Sequence, residues 1–237
     1  MVKVYKATDI GLVRSSNEDS MLCLPSDTYM VADGMGGHAA GEVASHIFID
    51  TARELLQAQE LPYSELVLKK LVLRANTAIL QQVAEHPEYN GMGTTATVFH
   101  REGNRGVWAH VGDSRLYLLR GGVLQQITRD HSLVSDLVEN GTITQEQART
   151  HPRKNVLMRA VGVEEELIVD TGSFELQSGD SILLCTDGLT NMVENEEIQR
   201  LLQVPEEQDK ASALVAAALE AGGLDNVTAV VVVYDAE

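Results

Sequence analysis

The sequence predicts an α+β fold with largely antiparallel sheets. Two observations carry that reading: strand-like segments arrive in adjacent groups, and helix-like patterns arrive in adjacent groups instead of alternating with the strands. A third supports it: Gly121-Gly122 between two apolar runs reads as a two-residue hairpin, the shortest antiparallel connection. The 237 residues fit one domain, 1–237, and a hydrophobic share of 44% suffices for an ordinary core.

Residues 3–8, 20–24 and 28–32 alternate or run apolar over strand lengths. Residues 41–59 switch to helical spacing, with Val43, Ile47 and Leu55 on a similar face. Residues 64–86 form a second long helical pattern, stopped by Pro87. Strand signals resume at 94–99 and 106–111, and 115–120 and 123–127 flank the Gly-Gly hairpin. Between 130 and 162 the texture changes to short polar helices. There Asn140-Gly141 reads as a helix stop and Thr144-Gln145-Glu146-Gln147 as a capping box. This stretch is the candidate for an inserted, mobile flap. Strands return at 167–176 and 181–186, and helical patterns at 194–202 and 210–221 precede a final strand.

The net charge of -17, from 18 basic and 35 acidic residues, opposes nucleic-acid binding and docking on anionic membranes. No apolar run is long enough to span a bilayer, and the first residues alternate like a strand without a signal-peptide core. The expectation is a cytoplasmic protein. Its two cysteines, Cys23 and Cys185, read as reduced thiols in strands; Cys185, two residues before Asp187, is a candidate site neighbour.

Four aspartates stand where apolar runs end: Asp33, Asp113, Asp187 and Asp225. If the fold gathers them, the cluster is stable only around cations. Carboxylate and backbone carbonyl oxygens suit hard ions such as Mg²⁺ and Mn²⁺, whereas zinc would want histidine or cysteine at ligand spacing. The glycines after Asp33 and Asp187 permit tight turns that would let a carbonyl face a metal. One Asp-Gly alone is usually a plain turn; four acids with similar apolar approaches leave a metal site and four structural turns as open alternatives.

Six motifs in order then resemble a family: Thr8-Asp9-Ile10-Gly11 through Arg14-Ser15-Ser16-Asn17-Glu18-Asp19; Val31-Ala32-Asp33-Gly34-Met35-Gly36-Gly37-His38; Gly91-Met92-Gly93-Thr94-Thr95; His110-Val111-Gly112-Asp113-Ser114-Arg115; Leu184-Cys185-Thr186-Asp187-Gly188-Leu189; and Gly223-Leu224-Asp225-Asn226-Val227-Thr228. The chain resembles, nearly end to end, a bacterial member of the metal-dependent Ser/Thr protein phosphatases, the PPM or type 2C family. The resemblance implies two stacked antiparallel β-sheets flanked by helix pairs, an αββα sandwich, with 130–162 as the flap and the metals at one end.

The resemblance also implies roles. Asp33 would bridge two ions, Mn²⁺ or Mg²⁺, with the Gly34 carbonyl and a water-mediated link through Glu18 or Asp19 completing one of them. Asp187 and Asp225 would bind the other, and Asp113 with Asp187 a third, weaker ion. Two such ions can share and activate a water for in-line attack on phosphorus. Arg14 would clamp the phosphate with a planar fork that lysine lacks. His38 follows the glycine turn, where it is either the general acid for the leaving alkoxide or a structural histidine. Glu18 and Asp19 have a turn or capping role as their alternative, and Gly93-Thr94-Thr95 reads as close strand packing. In the flap, Arg149, His151, Arg153 and Lys154 are either a solvated helix end or a reader of phosphopeptide acidity.

The implied activity is hydrolysis of phosphoserine and phosphothreonine in proteins, counteracting a bacterial Ser/Thr kinase in signalling, by a monomer. A catalytically silent phosphoprotein-binding module is the alternative; retention of Asp33, Asp187 and Asp225 counts against it. A hydrolase of small phosphate esters or nucleic acid is the third reading, and the acidic charge opposes its nucleic-acid branch.

Overall fold

A computed structural model describes residues 2–37, 40–58, 63–205 and 207–235. In chain order its elements are β1 (Val2–Asp9), β2 (Asp19–Leu24), β3 (Thr28–Met35), α1 (Ala40–Ala58), α2 (Glu65–Glu85), β4 (Gly93–Thr94), β5 (Ala96–Glu102), β6 (Arg105–Val111), β7 (Arg115–Arg120), β8 (Val123–Gln126), α3 (Leu133–Glu139), α4 (Gln145–Arg149), β9 (Asp170–Glu175), β10 (Asp180–Cys185), α5 (Asp187–Thr190), α6 (Asn195–Leu202), α7 (Lys210–Glu220) and β11 (Val227–Tyr234). They form two antiparallel sheets. The first has the order β1-β11-β10-β7-β8; the second has β2-β3-β5-β6-β9, with β4 paired to β3.

The last strand shows why the sheets stack. All eight residues of β11 are buried, so the strand is covered on both faces. Val230 and Val232 point between the sheets, among Val31, Phe99, Leu116 and Leu184. Their alternates Ala229, Val231 and Val233 pack outward against Ile198, Leu202 and Leu214 of α6 and α7. On the far side, Met30, Ala32, Val98 and Val107 of the second sheet bury against Phe48, Leu68, Val72 and Ile79 of α1 and α2. The result is the expected four-layer αββα arrangement.

Local signals explain the element ends. Ser64 caps α2 by accepting from the Val67 N–H. Gly121 and Gly122 take φ of 56° and 82°, the left-handed pair that joins β7 to β8. Within residues 130–162, Thr144 and Gln147 make the reciprocal bonds of a capping box, and Gly141 takes φ of 74° just after Asn140, the C-cap of α3.

Two expectations shift. On α1 the buried face is Ala44, Phe48, Ile49, Ala52 and Leu56, while Val43 and Ile47 are only partly buried and Leu55 is exposed. The small alanines let the helix lie close to the sheet, which rotates the contact stripe by about one position. The strand expected over 167–176 begins only at Asp170, although Leu167 and Val169 are already buried in the core. Burial of alternate residues there reflects packing on α2, without a ladder partner.

Candidate metal centre

One end of the sandwich gathers the acids. Asp19 on β2 lies directly opposite Asp33 on β3. Asp113 sits in the turn between β6 and β7, Asp187 opens α5 just beyond β10, and Asp225 directly precedes β11. Because Cys185 pairs with Ala229 in antiparallel register, Asp187 and Asp225 leave the first sheet at the same end. Residues from five distant stretches of sequence thus meet across both sheets.

Their mutual influence is visible in their titration. Burial, then the charges of Asp19, Asp187, Asp113 and Asp225, push the Asp33 carboxyl well above the usual carboxylate range. Burial lifts Asp19 to about 7, against two hydroxyl bonds that pull it down. Burial and then Asp187 raise Asp113; burial and then Asp225 raise Asp187, which a hydrogen bond with Asp33 and the Lys154 ammonium partly offset. Burial also raises Glu18. Like charges crowded this way ionise together only when cations join them.

A hydroxyl and amide frame holds the acids. Asp19 Oδ2 accepts from Thr186 Oγ1 at 2.8 Å and from Thr228 Oγ1 at 2.7 Å, tying the second sheet to the first. Asp19 Oδ1 is buried and has no hydrogen-bond partner among the described residues, which suits a water or cation. The Asp33 backbone is gripped on both sides: its N–H donates to Thr95 Oγ1, and its carbonyl accepts from Thr94 Oγ1 and Thr95 N. Thr95 Oγ1 also lies 2.7 Å from Ser114 Oγ, beside Asp113. Asn226 binds the carbonyls of Ile10 and Ser16 and the N–H of Glu18, so it fixes the loop that carries Arg14. Arg14 Nη2 donates to Asp225 Oδ2 at 2.8 Å, which places the half-exposed guanidinium at the rim of the acids.

The glycines act differently from the sequence reading. β3 continues through Asp33 and Gly34 to Met35, so no turn forms there. A Cβ on Gly34 would lie 2.1 Å from the Gly41 carbonyl oxygen; glycine is needed for close approach of α1. Asp187-Gly188 is likewise the first turn of α5, and a Cβ on Gly188 would lie 1.9 Å from the Asn226 carbonyl oxygen. Glu18 Oε2 sits 2.2 Å from where a Gly41 Cβ would stand, at the positive start of α1.

Other sequence-based candidates separate. Cys185 is fully buried in the core beneath α5, where burial pushes its thiol up to about 12 and the nearby Asp187 charge adds to the rise, so it is a neighbour of the acids that stays a protonated thiol. His38 lies outside the described residues. Arg149 pairs with Glu194 at 2.8 Å, the behaviour of an anchored helix end. Lys154 faces Asp187 across a cleft of about 710 Å³ between α3, α4 and the first sheet, also lined by Asp113, Arg115 and Arg129. Thr95, Thr186, Thr228 and Asn226 were visible only as letters within motifs. Their signal was position, each standing within three residues of a site aspartate or across the sheet from one.

Among the described residues, no three His, Cys, Asp or Glu side chains converge on one point as a finished cage. The acids approach as pairs, Asp19 with Asp33 and Asp33 with Asp187. The donor set still fits hard divalent cations: it is all oxygen, strongly like-charged, and contains the unpartnered Asp19 Oδ1.

Comparisons with known proteins agree with this geometry. The protein phosphatase 2C family model matches residues 15–220. The serine/threonine protein phosphatase PstP of Mycobacterium tuberculosis is 45% identical over 227 residues; the match covers 94% of this chain and 43% of that protein. The chain thus spans less than half the length of PstP. The serine/threonine phosphatase stp of Listeria monocytogenes is 41% identical, with 96% of this chain and 94% of that protein covered. Among solved structures, the PstP catalytic domain in complex with two manganese ions superposes with a TM-score of 0.91 at 41% identity, covering 99% of each chain. Stp1 of Staphylococcus aureus gives 0.94 at 34% identity, with 100% and 96% covered. A family model over most of the length, shared sequence and shared architecture leave one assignment: this chain belongs to the protein phosphatase 2C family.

Proposed function

We propose that this chain hydrolyses phosphoserine and phosphothreonine in proteins, as one domain over 1–237 with residues 130–162 as its flap. The observation that carries the reading is the end of the sandwich where burial and neighbouring acid charges raise the pKa values of Asp19, Asp33, Asp113 and Asp187 around an unpartnered carboxylate oxygen, with Asp225 beside them. The two manganese ions of the related PstP structure support Mn²⁺ or Mg²⁺ as the occupants. Asp33 and the Gly34 carbonyl, with Glu18 or Asp19 through water, would hold one ion; Asp187 and Asp225 a second; Asp113 with Asp187 a third. When bound, such ions supply charge stabilisation and an activated water for in-line attack on phosphorus.

The chain's own residues supply the rest. Arg14 stands at the rim, with a fork that can hold two phosphate oxygens. Thr186 and Thr228 orient Asp19, and Thr95 fixes the Asp33 backbone, so the acids need little rearrangement. His38 is proposed to donate a proton to the leaving serine or threonine oxygen. The cleft beside the flap, with Lys154 facing it, would receive the phosphoprotein segment.

Among the described residues no helix is long and apolar enough to cross a membrane. A cytoplasmic monomer that opposes a Ser/Thr kinase in signalling is part of the same proposal. Incubation with a phosphothreonine peptide, in Mn²⁺ or in chelator, tests it: phosphate release should require the metal. Absence of any Mn²⁺-dependent release would sink the enzymatic reading and leave the silent binding module.

A further inference from the structure

Two loops meet beside Arg14, and both are more apolar than turns usually are. The first is Gly11-Leu12-Val13-Arg14 and the second is Gly222-Gly223-Leu224-Asp225. Turns favour Gly, Pro, Asn, Asp and Ser, which suit water and a bent backbone. Here Leu12 is 69% exposed, Val13 64% and Leu224 57%. A single exposed leucine is ordinary; three such side chains on touching backbones form a patch.

The contact between the loops is close. The Leu12 N–H donates to the Gly223 carbonyl at 2.7 Å. A Cβ on Gly11 would strike the Asp225 carbonyl oxygen, and one on Gly223 would lie 2.9 Å from Leu12 Cγ. Leu224 therefore stands between the two points at which the loops touch. Leu219 lies close to Gly223 and Met192 close to Gly222, which joins the patch to the core of the first sheet. The first loop is also fixed in place. The Gly11 N–H donates to Asp9 Oδ1 at 2.8 Å, and Asn226 donates to the Ile10 and Ser16 carbonyls on either side of it. Its apolar side chains are thus presented to water by a backbone that cannot fold them away.

We propose that Leu12, Val13 and Leu224 form an apolar ledge that selects phosphoproteins with a bulky apolar residue one or two positions from the phosphorylated serine or threonine. This rests on the proposed function, in which Arg14 holds the phosphate. Position names the occupant. Val13 adjoins Arg14, and Leu224 adjoins Asp225, which accepts from Arg14 Nη2 at 2.8 Å. In an extended peptide the next two residues lie about 4–7 Å along the chain, which is the reach from Arg14 to Val13 and Leu12. A second copy of this chain is opposed by the net charge of -17.

Two phosphothreonine peptides, identical except for leucine or serine at the two positions on either side of the phosphothreonine, test this. With Mn²⁺ present the leucine peptide should be cleaved with about tenfold higher kcat/KM, carried by KM. Phosphonate analogues of both peptides, which cannot be cleaved, should show about the same ratio in Kd by calorimetry. Val13→Ser combined with Leu224→Ser alters two exposed side chains and should bring both ratios within about twofold of unity. An aryl phosphate has no flanking residue, so the double variant should hydrolyse it at the wild-type rate. Equal Kd for the two phosphonates on the wild-type protein overturns the ledge, while phosphate release from both peptides would leave the proposed function standing. Release from neither peptide, with the Kd ratio intact, refutes hydrolysis and upholds the ledge. A ratio that survives the double variant overturns the proposal, because other residues then set the preference. A dimer in sedimentation that the double variant dissolves also overturns it, because a second copy then covers the patch.

Discussion

Asp19→Asn turns the crowding of acids into a measurable slope. One Asp19 oxygen takes the Thr186 and Thr228 hydroxyls, the other is unpartnered, and burial lifts the carboxyl from 3.8 to about 7. In the unfolded chain the group ionises near its ordinary value. Between those two pH values the cation-free folded protein keeps a proton that the unfolded chain has released. Stability from this group is therefore fully present below the unfolded pKa, falls as pH rises through the window, and is constant above about 7. At about 1.36 kcal/mol per unit, the loss is about 4 kcal/mol. Asparagine has the same shape, keeps an oxygen for both threonines and cannot titrate. Urea unfolding of chelator-treated wild type and variant from about pH 4 to about pH 8 gives the comparison. The variant's stability relative to wild type should climb by about 4 kcal/mol and then level off. With Mn²⁺ present the wild-type slope should reverse, because the ions bind the ionised carboxylates. A difference that stays flat within about 1 kcal/mol refutes the reasoning, since the unpartnered oxygen would then be as well solvated in the fold as outside it.

Four further outcomes are expected. Asp187→Ala should lower Mn²⁺-dependent release of phosphate from a phosphothreonine peptide by about 10²–10³-fold; unchanged turnover removes Asp187 from the metal set. Arg14→Lys should cost about 1.5–3 kcal/mol in kcat/KM, mostly as a raised KM, because an ammonium cannot reproduce the fork; an unchanged KM would place Arg14 outside the phosphate site. Gly188→Ala drives a methyl into the Asn226 carbonyl and should cost about 1–3 kcal/mol, read as a lower melting temperature by calorimetry. His38→Ala should slow phosphothreonine hydrolysis far more than that of an aryl phosphate, whose leaving group needs no proton; equal losses dismiss the general acid.

Much of the frame was legible because periodicity reports burial. The unbroken apolar run of β11 announced a strand, and its burial on both faces explains why the run is unbroken; Gly121-Gly122 announced its hairpin. The aspartates were legible because each stands at one end of an apolar run, although Asp33 proves to lie within β3 and not beyond it. The reason for the glycines was not. Gly34 has an ordinary extended conformation, and only the tertiary approach of Gly41 shows why a side chain is excluded. The threonine frame was equally hidden, because Thr186 and Thr228 act on Asp19 across the gap between the sheets, over separations of 167 and 209 residues. The offset face of α1 was missed because alanine carries a weak hydrophobic signal yet permits the closest packing.

The position of β11 also dictates a schedule. Its residues 227–234 are made after the rest of the first sheet, yet they lie in the middle of it, paired with β1 on one side and β10 on the other. A chain growing from its N-terminus must keep both neighbouring edges open until this strand arrives. Asp225, Asn226 and Thr228 arrive in the same stretch and complete the acids, the loop of Arg14 and the grip on Asp19. Under the proposed function, a chain that has not yet made β11 therefore lacks the full set of acids and the fixed Arg14 loop. Competence would come in a single step with the closing of the sheet.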